Sequence, residues 1–347
     1  MENNKKFMPL KEEELIPYRK KNKWGFCTRD KNIVIECIYY DAYGFSEGLA
    51  MVVLNGKVGY IDRNGNTIVP FIYEINASSS FSDGLASVSR NGKYGFIDKN
   101  GNEIISCRFD NSSKFVDGLA QSSINWKYGF IDKLGNTIIP FKYSSAGNFS
   151  EGLAPVGING RDGYINMLGD ERIPFIYRSA SSFSEGLADV RTCDGGEGYI
   201  NKNGDIVIPL TYSFASPFSE GFAKVSLDTL SWAFINKNGT KITPFIYQEC
   251  SKFSEGFAAV QRYGNRNNKC GFIDTNGREA IPFIYSRTQN FSDGLAAVKL
   301  DSKTGFIDKE GKTIIPFKYF SPGMYFKGFA GVWNGLISIE GIEYWED

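Results

Sequence analysis

The sequence predicts an all-β chain, built as a tandem array of about ten meander repeats of roughly 35 residues. Residues 81–105, F-S-D-G-L-A-S-V-S-R-N-G-K-Y-G-F-I-D-K-N-G-N-E-I-I, are repeated along the chain with small changes. The short apolar runs of this phrase are separated by Asn-Gly, a dipeptide that tolerates the positive φ of a type I′ hairpin turn. No segment has a helical period of useful length.

The glycine that opens each G-F-I-D run marks the repeats at intervals of 34 to 38 residues, with a last step of 30. The markers are Gly25, Gly59, Gly95, Gly129, Gly163, Gly198, Ala233, Gly271, Gly305 and Gly335. Such a period is typical of a solenoid, a propeller or an array, in which one repeat cannot bury its own face. We therefore expect a polar N-terminal segment, 1–14, and a single β-repeat domain, 15–347, with capping repeats at its ends.

Each repeat is predicted to form three strands in order. An L-A-x-V run such as 49–52 forms the first strand, a G-Y-I-D run such as 59–62 the second, and an I-I-P run such as 138–140 the third. An F-x-Y segment such as 141–143 follows. Because proline cannot donate to a ladder, its recurrence predicts a strand end or an exposed edge at that point.

The two ends of the chain bear on how the repeats are arranged. The chain starts with a first strand and stops after a third strand, so no complementary fragments are expected to complete a shared sheet. This favours an open β-solenoid or superhelical stack. A β-propeller is the alternative.

Linked motifs indicate a family. Lys23-Trp24-Gly25-Phe26, together with the recurring G-F-I-D, N-G-N and I-I-P-F-x-Y runs, resembles the WG (KWG) repeat family of bacterial proteins. The resemblance implies a β-rich repeat and supplies no catalytic residues. Among the marker positions only Trp24 keeps the Trp-Gly pair; the residues in or near its slot in later repeats are Val58, Tyr94, Tyr128, Asp162, Glu197, Trp232, Cys270 and Thr304.

The composition argues against several classes of function. Lys plus Arg and Asp plus Glu number 39 each, so nucleic acid and anionic membranes are not expected as partners. The chain has no histidine, which removes imidazole metal sites and Ser-His or Cys-His nucleophile pairs. We expect no cofactor, no metal and no enzyme activity, although carboxylates, Lys, Tyr and Cys leave catalysis chemically open. No signal peptide is visible.

Two recurrent features have competing interpretations. The turns at residues 62–66 and 98–102, D-x-N-G-N, look like the start of a calcium loop, but no ligating Glu follows, and an Asx-type turn is the favoured interpretation. Six cysteines contain no C-x-x-C, and four of them replace apolar or small residues. Buried free thiols of this kind suit a reducing cytoplasm.

Three rows of residues recur and could bind a partner. The S-E-G and S-D-G acids could bind cations or a basic partner, or serve only turn chemistry on a solvated face. The Phe row is expected to be core, whereas the Tyr row is open to two interpretations: it packs in the core, or it is exposed and could hold a glycan or a proline-rich peptide. The rows are Glu47, Asp83, Asp117, Glu151, Glu185, Glu220, Glu255 and Asp293; Phe45, Phe81, Phe115, Phe149, Phe183, Phe218, Phe253 and Phe291; and Tyr73, Tyr143, Tyr177, Tyr212, Tyr247, Tyr285 and Tyr319.

Specific function is expected where the repeat is broken. Trp126 replaces a turn glycine, residues 228–232 lose their Asn-Gly, and residues 262–269 are a basic, aromatic insertion at a hairpin tip. The predicted binding residues are Arg262, Tyr263, Arg266, Lys269, Trp126 and Trp232. The predicted function is a non-enzymatic scaffold for a protein partner, with a carbohydrate- or ligand-binding module using exposed Tyr rows as the alternative.

Overall fold

A computed structural model describes residues 15–346 except 76–77, 229, 263–268, 321, 327, 333–334 and 339, and gives only the backbone of Pro322–Phe326. The predicted polar segment 1–14 lies outside the described residues. No α-helix occurs within the described ranges, so the all-β prediction is confirmed. The chain divides into two compact parts, one of residues 1–126, 131–136 and 327–347 and one of residues 127–130 and 137–326.

Thirty-seven strands are defined, and most repeats contribute four of them in a fixed order. The first strands are β1 (Ile16–Lys20), β5 (Ala50–Leu54), β8 (Leu85–Arg90), β12 (Leu119–Ile124), β16 (Leu153–Ile158), β20 (Leu187–Arg191), β24 (Phe222–Ser226), β27 (Phe257–Arg262), β31 (Ala296–Leu300) and β35 (Phe329–Val332). The second strands are β2 (Lys23–Cys27), β6 (Lys57–Ile61), β9 (Lys93–Asp98), β13 (Lys127–Asp132), β17 (Arg161–Asn166), β21 (Glu197–Asn201), β25 (Trp232–Asn236), β28 (Cys270–Asp274), β32 (Lys303–Ile307) and β36 (Gly335–Ser338).

The third strands and the short strands that follow them complete the pattern. The third strands are β3 (Ile33–Tyr39), β7 (Thr67–Tyr73), β10 (Glu103–Phe109), β14 (Thr137–Tyr143), β18 (Glu171–Tyr177), β22 (Ile206–Tyr212), β29 (Glu279–Tyr285) and β33 (Thr313–Tyr319). The short strands are β4 (Asp41–Ala42), β11 (Asn111–Ser112), β15 (Ser145–Ala146), β19 (Ser179–Ala180), β23 (Phe214–Ala215), β26 (Tyr247–Cys250), β30 (Arg287–Thr288), β34 (Pro322–Phe326) and β37 (Trp345–Glu346).

The typical sheet is a four-stranded antiparallel meander. In the order β4-β5-β6-β7, a short strand pairs with the first strand of the next repeat, and the third strand is the free edge; β15–β18, β19–β22 and β30–β33 repeat this order. The turn between first and second strands is type I′, because Asn55 and Gly56 have φ values of 50° and 74°. The predicted hairpin is therefore confirmed.

The second turn is an Asx turn. Asp62 Oδ1 accepts hydrogen bonds from the backbone N–H groups of Asn64 at 2.9 Å and Asn66 at 2.8 Å, and Asp62 Oδ2 accepts one from Asn66 Nδ2 at 2.9 Å. Asp98 makes the same contacts one repeat later. The aspartate that could begin a calcium loop is thus fully used by its own turn.

The third strand departs from the prediction. It is a seven-residue strand in which the I-I-P and F-x-Y runs are continuous, so the prediction of a strand end at the proline is wrong. Pro70 lies inside the strand at a register shift, between the pairs Tyr60↔Val69 and Val58↔Tyr73. Because β7 is the sheet edge, the missing N–H of Pro70 costs no ladder bond, and the prediction of an exposed edge is confirmed.

The marker glycine is required by this third strand. A Cβ added to Gly95 would lie 2.4 Å from the carbonyl oxygen of Ile105, and one on Gly129 would lie 2.5 Å from that of Ile139. Ala233 is the one marker with a Cβ. Opposite it no regular third strand is defined, and β26 joins two repeats into the seven-stranded sheet β23–β29 instead.

Consecutive repeats pack through paired aromatic rings. Phe81 of one repeat meets the ring of Tyr60 in the preceding second strand at a centroid distance of 5.0 Å, and Phe183 meets Tyr164 at 4.9 Å. Most of the Phe row is fully buried, which confirms that it is core. Ser46 Oγ also donates to the carbonyl oxygen of Phe81 at 2.7 Å, and this link recurs in later repeats.

The two chain ends meet within one compact part. β37 pairs in parallel with β1, where other sheets have a short strand, and Arg19 N–H donates to the Tyr344 carbonyl at 3.2 Å. Lys20 and Glu346 form an ion pair at 2.8 Å, and Tyr344 is buried with Ile16. The expectation that the ends supply no complementary strands is therefore wrong, because two residues near the C-terminus suffice to complete the first sheet.

Candidate interaction surface

Trp126 occupies a hairpin tip in a strained conformation. Its φ of 59° lies in the left-handed region that glycine normally fills, and its side chain is 79% exposed. The Asp110 carboxylate accepts its backbone N–H at 3.3 Å and also pairs with Lys93. The hydrogen bond from the Lys93 side chain is the main cause that holds the pKa of Asp110 below its ordinary value, and the hydrogen bond from the Trp126 backbone N–H is the second. The predicted break in the repeat is thus an exposed indole on an anchored turn.

Trp232 and Arg262 lie on one continuous sheet. Both are backbone partners of Tyr247, Trp232 through β25 and Arg262 through β27. The Trp232 ring is only partly exposed, because it packs against Phe214 at a centroid distance of 5.0 Å and lies 5.2 Å from Lys224 Nζ. The structure therefore brings two predicted binding residues together but assigns Trp232 mainly to packing.

The insertion at residues 262–269 is described only at its ends. The Arg262 guanidinium lies 4.5 Å from the centre of the Phe283 ring and 3.5 Å from the Glu279 carboxylate. Lys269 is half-buried just before β28. Tyr263 and Arg266 lie outside the described residues, so the prediction for the tip itself stays a prediction.

A cleft of about 440 Å³ lies beside the altered turn before Trp232. It is lined by Asp228, Leu230, Ser231, Phe245 and Ile246. Asp228 Oδ1 accepts the backbone N–H groups of Leu230 and Ser231, each at 2.9 Å. The turn that lost Asn-Gly is therefore rebuilt around a carboxylate.

The Tyr row is buried, which corrects the prediction of an exposed row. Tyr73, Tyr143 and Tyr247 are at most 2% exposed, and most of the remaining members are also in the core. For Tyr73 and Tyr143 the reason is their position as the last residue of the third strand, which faces inwards in the recurring exposure pattern, whereas Tyr247 is buried at the start of β26. A stacked glycan cannot reach these rings.

The acidic row links neighbouring turns. Glu47 accepts the backbone N–H of Gly84 at 3.1 Å and pairs with Lys99 at 3.0 Å. Glu151 does the same with Gly186 and Lys202, at 3.1 and 2.9 Å. The hydrogen bond from the Lys99 side chain is the main cause that lowers the pKa of Glu47. The row therefore serves turn chemistry and contacts between repeats.

The sequence analysis missed a regular exposed surface on the third strands. Their second residue, their sixth residue or both are branched aliphatics that are 36 to 57% exposed, and position four between them is exposed and is proline in six of the eight third strands. We call this surface the edge face; its apolar members are Val34, Ile38, Ile68, Ile72, Ile104, Ile138, Ile176, Val207, Ile284 and Ile314. Where the aliphatic is replaced, the residue is often basic, as at Arg108, Lys142, Arg172 and Lys318.

The remaining reactive groups do not assemble into a site. No group of three or more metal-ligating side chains occurs among the described residues. Burial raises the pKa of the Cys27 thiol to about 12, and burial is also the main cause that raises the pKa of Cys250. Cys193 is exposed and lies 3.8 Å from the Ile176 carbonyl. No helix in the described part is long and apolar enough to cross a membrane.

Comparison with known families decides the class of the chain. The model of the WG containing repeat matches nine regions: residues 24–57, 59–94, 94–125, 128–161, 163–195, 198–228, 232–265, 271–303 and 305–332. The chain belongs to the WG-containing repeat family. Its matches tile the repeats from Trp24 onwards, and the marker glycines, with the third strands they admit, are the structural basis of these WG repeats.

No curated protein matches this WG-repeat chain significantly in sequence. Among solved structures, a eukaryotic initiation factor is 12% identical with a TM-score of 0.59, covering 93% of this chain and 96% of the other. The Kluyveromyces lactis protein Hsv2p is 9% identical, with a TM-score of 0.40 and coverage of 66% and 90%. The WD40 β-propeller domain of Doa1 is 12% identical, with a TM-score of 0.33 and coverage of 65% and 90%. The similarity to the initiation factor is a similarity of fold alone, and the two lower TM-scores carry no argument.

Proposed function

We propose that this chain is a non-enzymatic protein-interaction scaffold and that its partner contacts the edge face. The observation that carries the proposal is the exposure of Ile or Val at position two, at position six or at both in every third strand. Soluble proteins scatter single exposed aliphatics, whereas contiguous apolar surface usually marks an interaction site. Here at least one exposed aliphatic occupies one of the same two positions in each of the eight third strands.

The prolines support a side-chain surface over strand addition. An exposed sheet edge invites pairing with another chain, and a proline in the edge strand prevents it. Pro70 stands between the exposed residues Ile68 and Ile72, and Pro140 stands between the exposed residues Ile138 and Lys142. The edge is thus protected from β-augmentation while its apolar side chains stay accessible.

The charges on the edge face define the partner's chemistry. Lys142 and Lys318 each place their ammonium group just over 5 Å from the ring of the following tyrosine, so their methylene stems lie along the surface. The expected partner is a protein with an apolar surface bordered by acidic side chains. Trp126 is a second contact point, because exposed tryptophans are frequent anchors of interfaces.

The remaining expectations are part of the same proposal. The absence of histidine and the satisfied turn carboxylates support a non-enzymatic role without a cofactor. The six free cysteines, of which Cys27 and Cys270 are buried, support a cytoplasmic location. Nucleic acid and membranes are not proposed as partners, and burial of the Tyr row removes the surface on which glycan binding was based.

A closed, propeller-like arrangement is proposed in preference to the open solenoid. The pairing of β1 with β37 supports it, because an open stack keeps its first and last repeats apart. Removing residues 340–347 is expected to loosen the first repeat, as hydrogen exchange in β1 would reveal; unchanged protection of β1 would contradict closure.

The scaffold proposal is tested by capture from the native host followed by titration of the purified partner. Ile138→Asp/Ile176→Asp places charges on the edge face and is expected to abolish binding. Leu134→Asp/Leu168→Asp is the matched control, since both leucines are exposed apolar turn residues outside the edge face. Equal affinities of the two double variants would overturn the proposal, and a loss caused only by replacing 262–269 with Asn-Gly would move the site to that tip.

A further inference from the structure

A cavity of about 160 Å³ lies between the short strand β30, the first strand β31 and the start of β32. Arg287, Lys299 and Thr304 line it together with the exposed ring of Phe320, and no carboxylate side chain is among its described lining residues. A cavity of roughly 150 Å³ can hold a molecule the size of benzene. We call it the Thr304 cavity.

Thr304 is unusual because its hydroxyl is buried without a hydrogen-bond partner. The residue is 1% exposed, and its Oγ1 is unsatisfied among the described residues. A buried polar group without a hydrogen-bond partner destabilises a folded protein, so its presence in a cavity needs an explanation.

In two other repeats the position equivalent to Thr304 holds a carboxylate. The Glu197 carboxylate accepts the backbone N–H of Ala215 at 2.6 Å, and Asp162 Oδ2 accepts that of Ala180 at 3.1 Å. In both repeats the donor is eighteen residues after the slot residue. Eighteen residues after Thr304 stands Pro322, which has no N–H to donate.

Thr304 has a cation on the neighbouring strand, as Glu197 does, but carries no carboxylate of its own. Arg191 is the cross-strand partner of Glu197, and its Nε lies 3.7 Å from the glutamate oxygen. Lys299 is the cross-strand partner of Thr304 in the same register, and Arg287 is paired in turn with Lys299. No ion pair of Lys299 or Arg287 occurs among the described residues.

We propose that the Thr304 cavity binds a carboxylate group supplied from outside the chain. The carboxylate takes the place that Glu197 fills in its own repeat, next to Lys299 and in the same cross-strand row as Arg287, and accepts a hydrogen bond from the Thr304 hydroxyl. The Phe320 ring, which lies 3.2 Å from Lys303 Nζ, covers the carbon chain of the ligand. The source is either a free carboxylic acid or an acidic side chain of a protein. The inference is independent of the edge face.

The test is titration calorimetry of the full chain with sodium glutarate, with sodium chloride at equal ionic strength as the reference. Two capped tripeptides, Gly-Glu-Gly and Gly-Gln-Gly, distinguish the source. Saturable binding of glutarate alone indicates a free acid, and tighter binding of the Glu peptide indicates a protein side chain. Failure of every carboxylate to bind saturably would overturn the proposal.

Variants locate the site. Thr304→Glu supplies an internal carboxylate, as Glu197 does, and Arg287→Gln/Lys299→Gln removes the cations; each is expected to weaken binding at least about tenfold. Lys252→Gln, an exposed lysine elsewhere, is the control and leaves binding unchanged. Thr304→Val removes the hydroxyl in a variant that is expected to fold, because Val58 occupies this slot in another repeat. Unchanged affinity in Thr304→Glu and in the double variant would also overturn the assignment.

Discussion

A Cβ on Gly163 would lie 2.6 Å from the carbonyl oxygen of Ile173 in the third strand beside it. The same close approach occurs at the marker glycine of all eight repeats in which a third strand is defined, because the strand that carries the edge face crosses the glycine too closely for a side chain. Ala233 replaces the glycine in a repeat in which no regular third strand is defined. A repeat that presents an edge face therefore needs glycine at its marker position.

Gly163→Ala is expected to destabilise the chain by about 1 to 3 kcal/mol, because β17 and β18 must separate to admit the methyl group. The change is measured as a fall in the urea midpoint. Gly44→Ala is the control, since an added Cβ there meets nothing within 4 Å. An equal midpoint for the two variants would contradict the close-approach explanation.

Much of the fold follows from the sequence because local chemistry specifies it. Asn55-Gly56 forms its type I′ turn from the conformational preferences of two residues, and Asp62 closes its Asx turn through neighbours. The continuity of β7 through Pro70 could not be predicted, because it depends on which edge of the sheet stays unpaired. The pairing of β1 with β37 joins residues more than 300 positions apart, which no local pattern reveals.

The candidate site was predicted in part. The break at Trp126 was visible because one tryptophan stands where glycine recurs, and its exposure agrees with that interpretation. Burial of the Tyr row was not predicted, since the sequence leaves open which face the last residue of a strand takes. The alternation in Ile68-Val69-Pro70-Phe71-Ile72 holds the signal for the edge face, but both faces carry apolar residues and only the structure separates them.

Trp126→Gly is expected to stabilise the free protein by about 1 kcal/mol, because it relieves a left-handed tryptophan. Trp126→Ala removes the same indole but keeps a Cβ at positive φ, so its urea midpoint should not rise. If partner binding uses the indole, both variants bind more weakly. A lower midpoint for Trp126→Gly than for the parent would show that the turn is not strained.

Glu47→Gln is expected to weaken the dependence of stability on acid pH. The folded pKa of Glu47 is depressed, mainly by Lys99, so its contribution is present above the ordinary pKa of about 4.5 and is lost as pH falls through the folded value. Unfolding midpoints between pH 6 and pH 3 measure the effect. Asp117→Asn, in the same row, is the comparison; identical pH profiles would refute a stabilising role for the link.

Asp189→Asn is expected to stabilise the chain above pH 6 by about 1 to 3 kcal/mol. Burial raises the pKa of Asp189 to about 6, although Ser181 Oγ donates to it at 2.6 Å. Because the folded pKa exceeds the unfolded value, the aspartate favours folding at low pH, and this contribution is lost as pH rises through 6. A stability gain that is the same at pH 4 and pH 8 would contradict this assignment.

The edge face is tested most directly by oxidative footprinting of the chain with and without its captured partner. The account predicts that binding protects aliphatic and proline side chains of the third strands, including Ile68, Ile72, Ile138 and Ile176. Leu134 and Leu168, exposed in the intervening turns, should stay reactive. Protection confined to the hairpin tips, with the third strands as reactive as in the free protein, would contradict it.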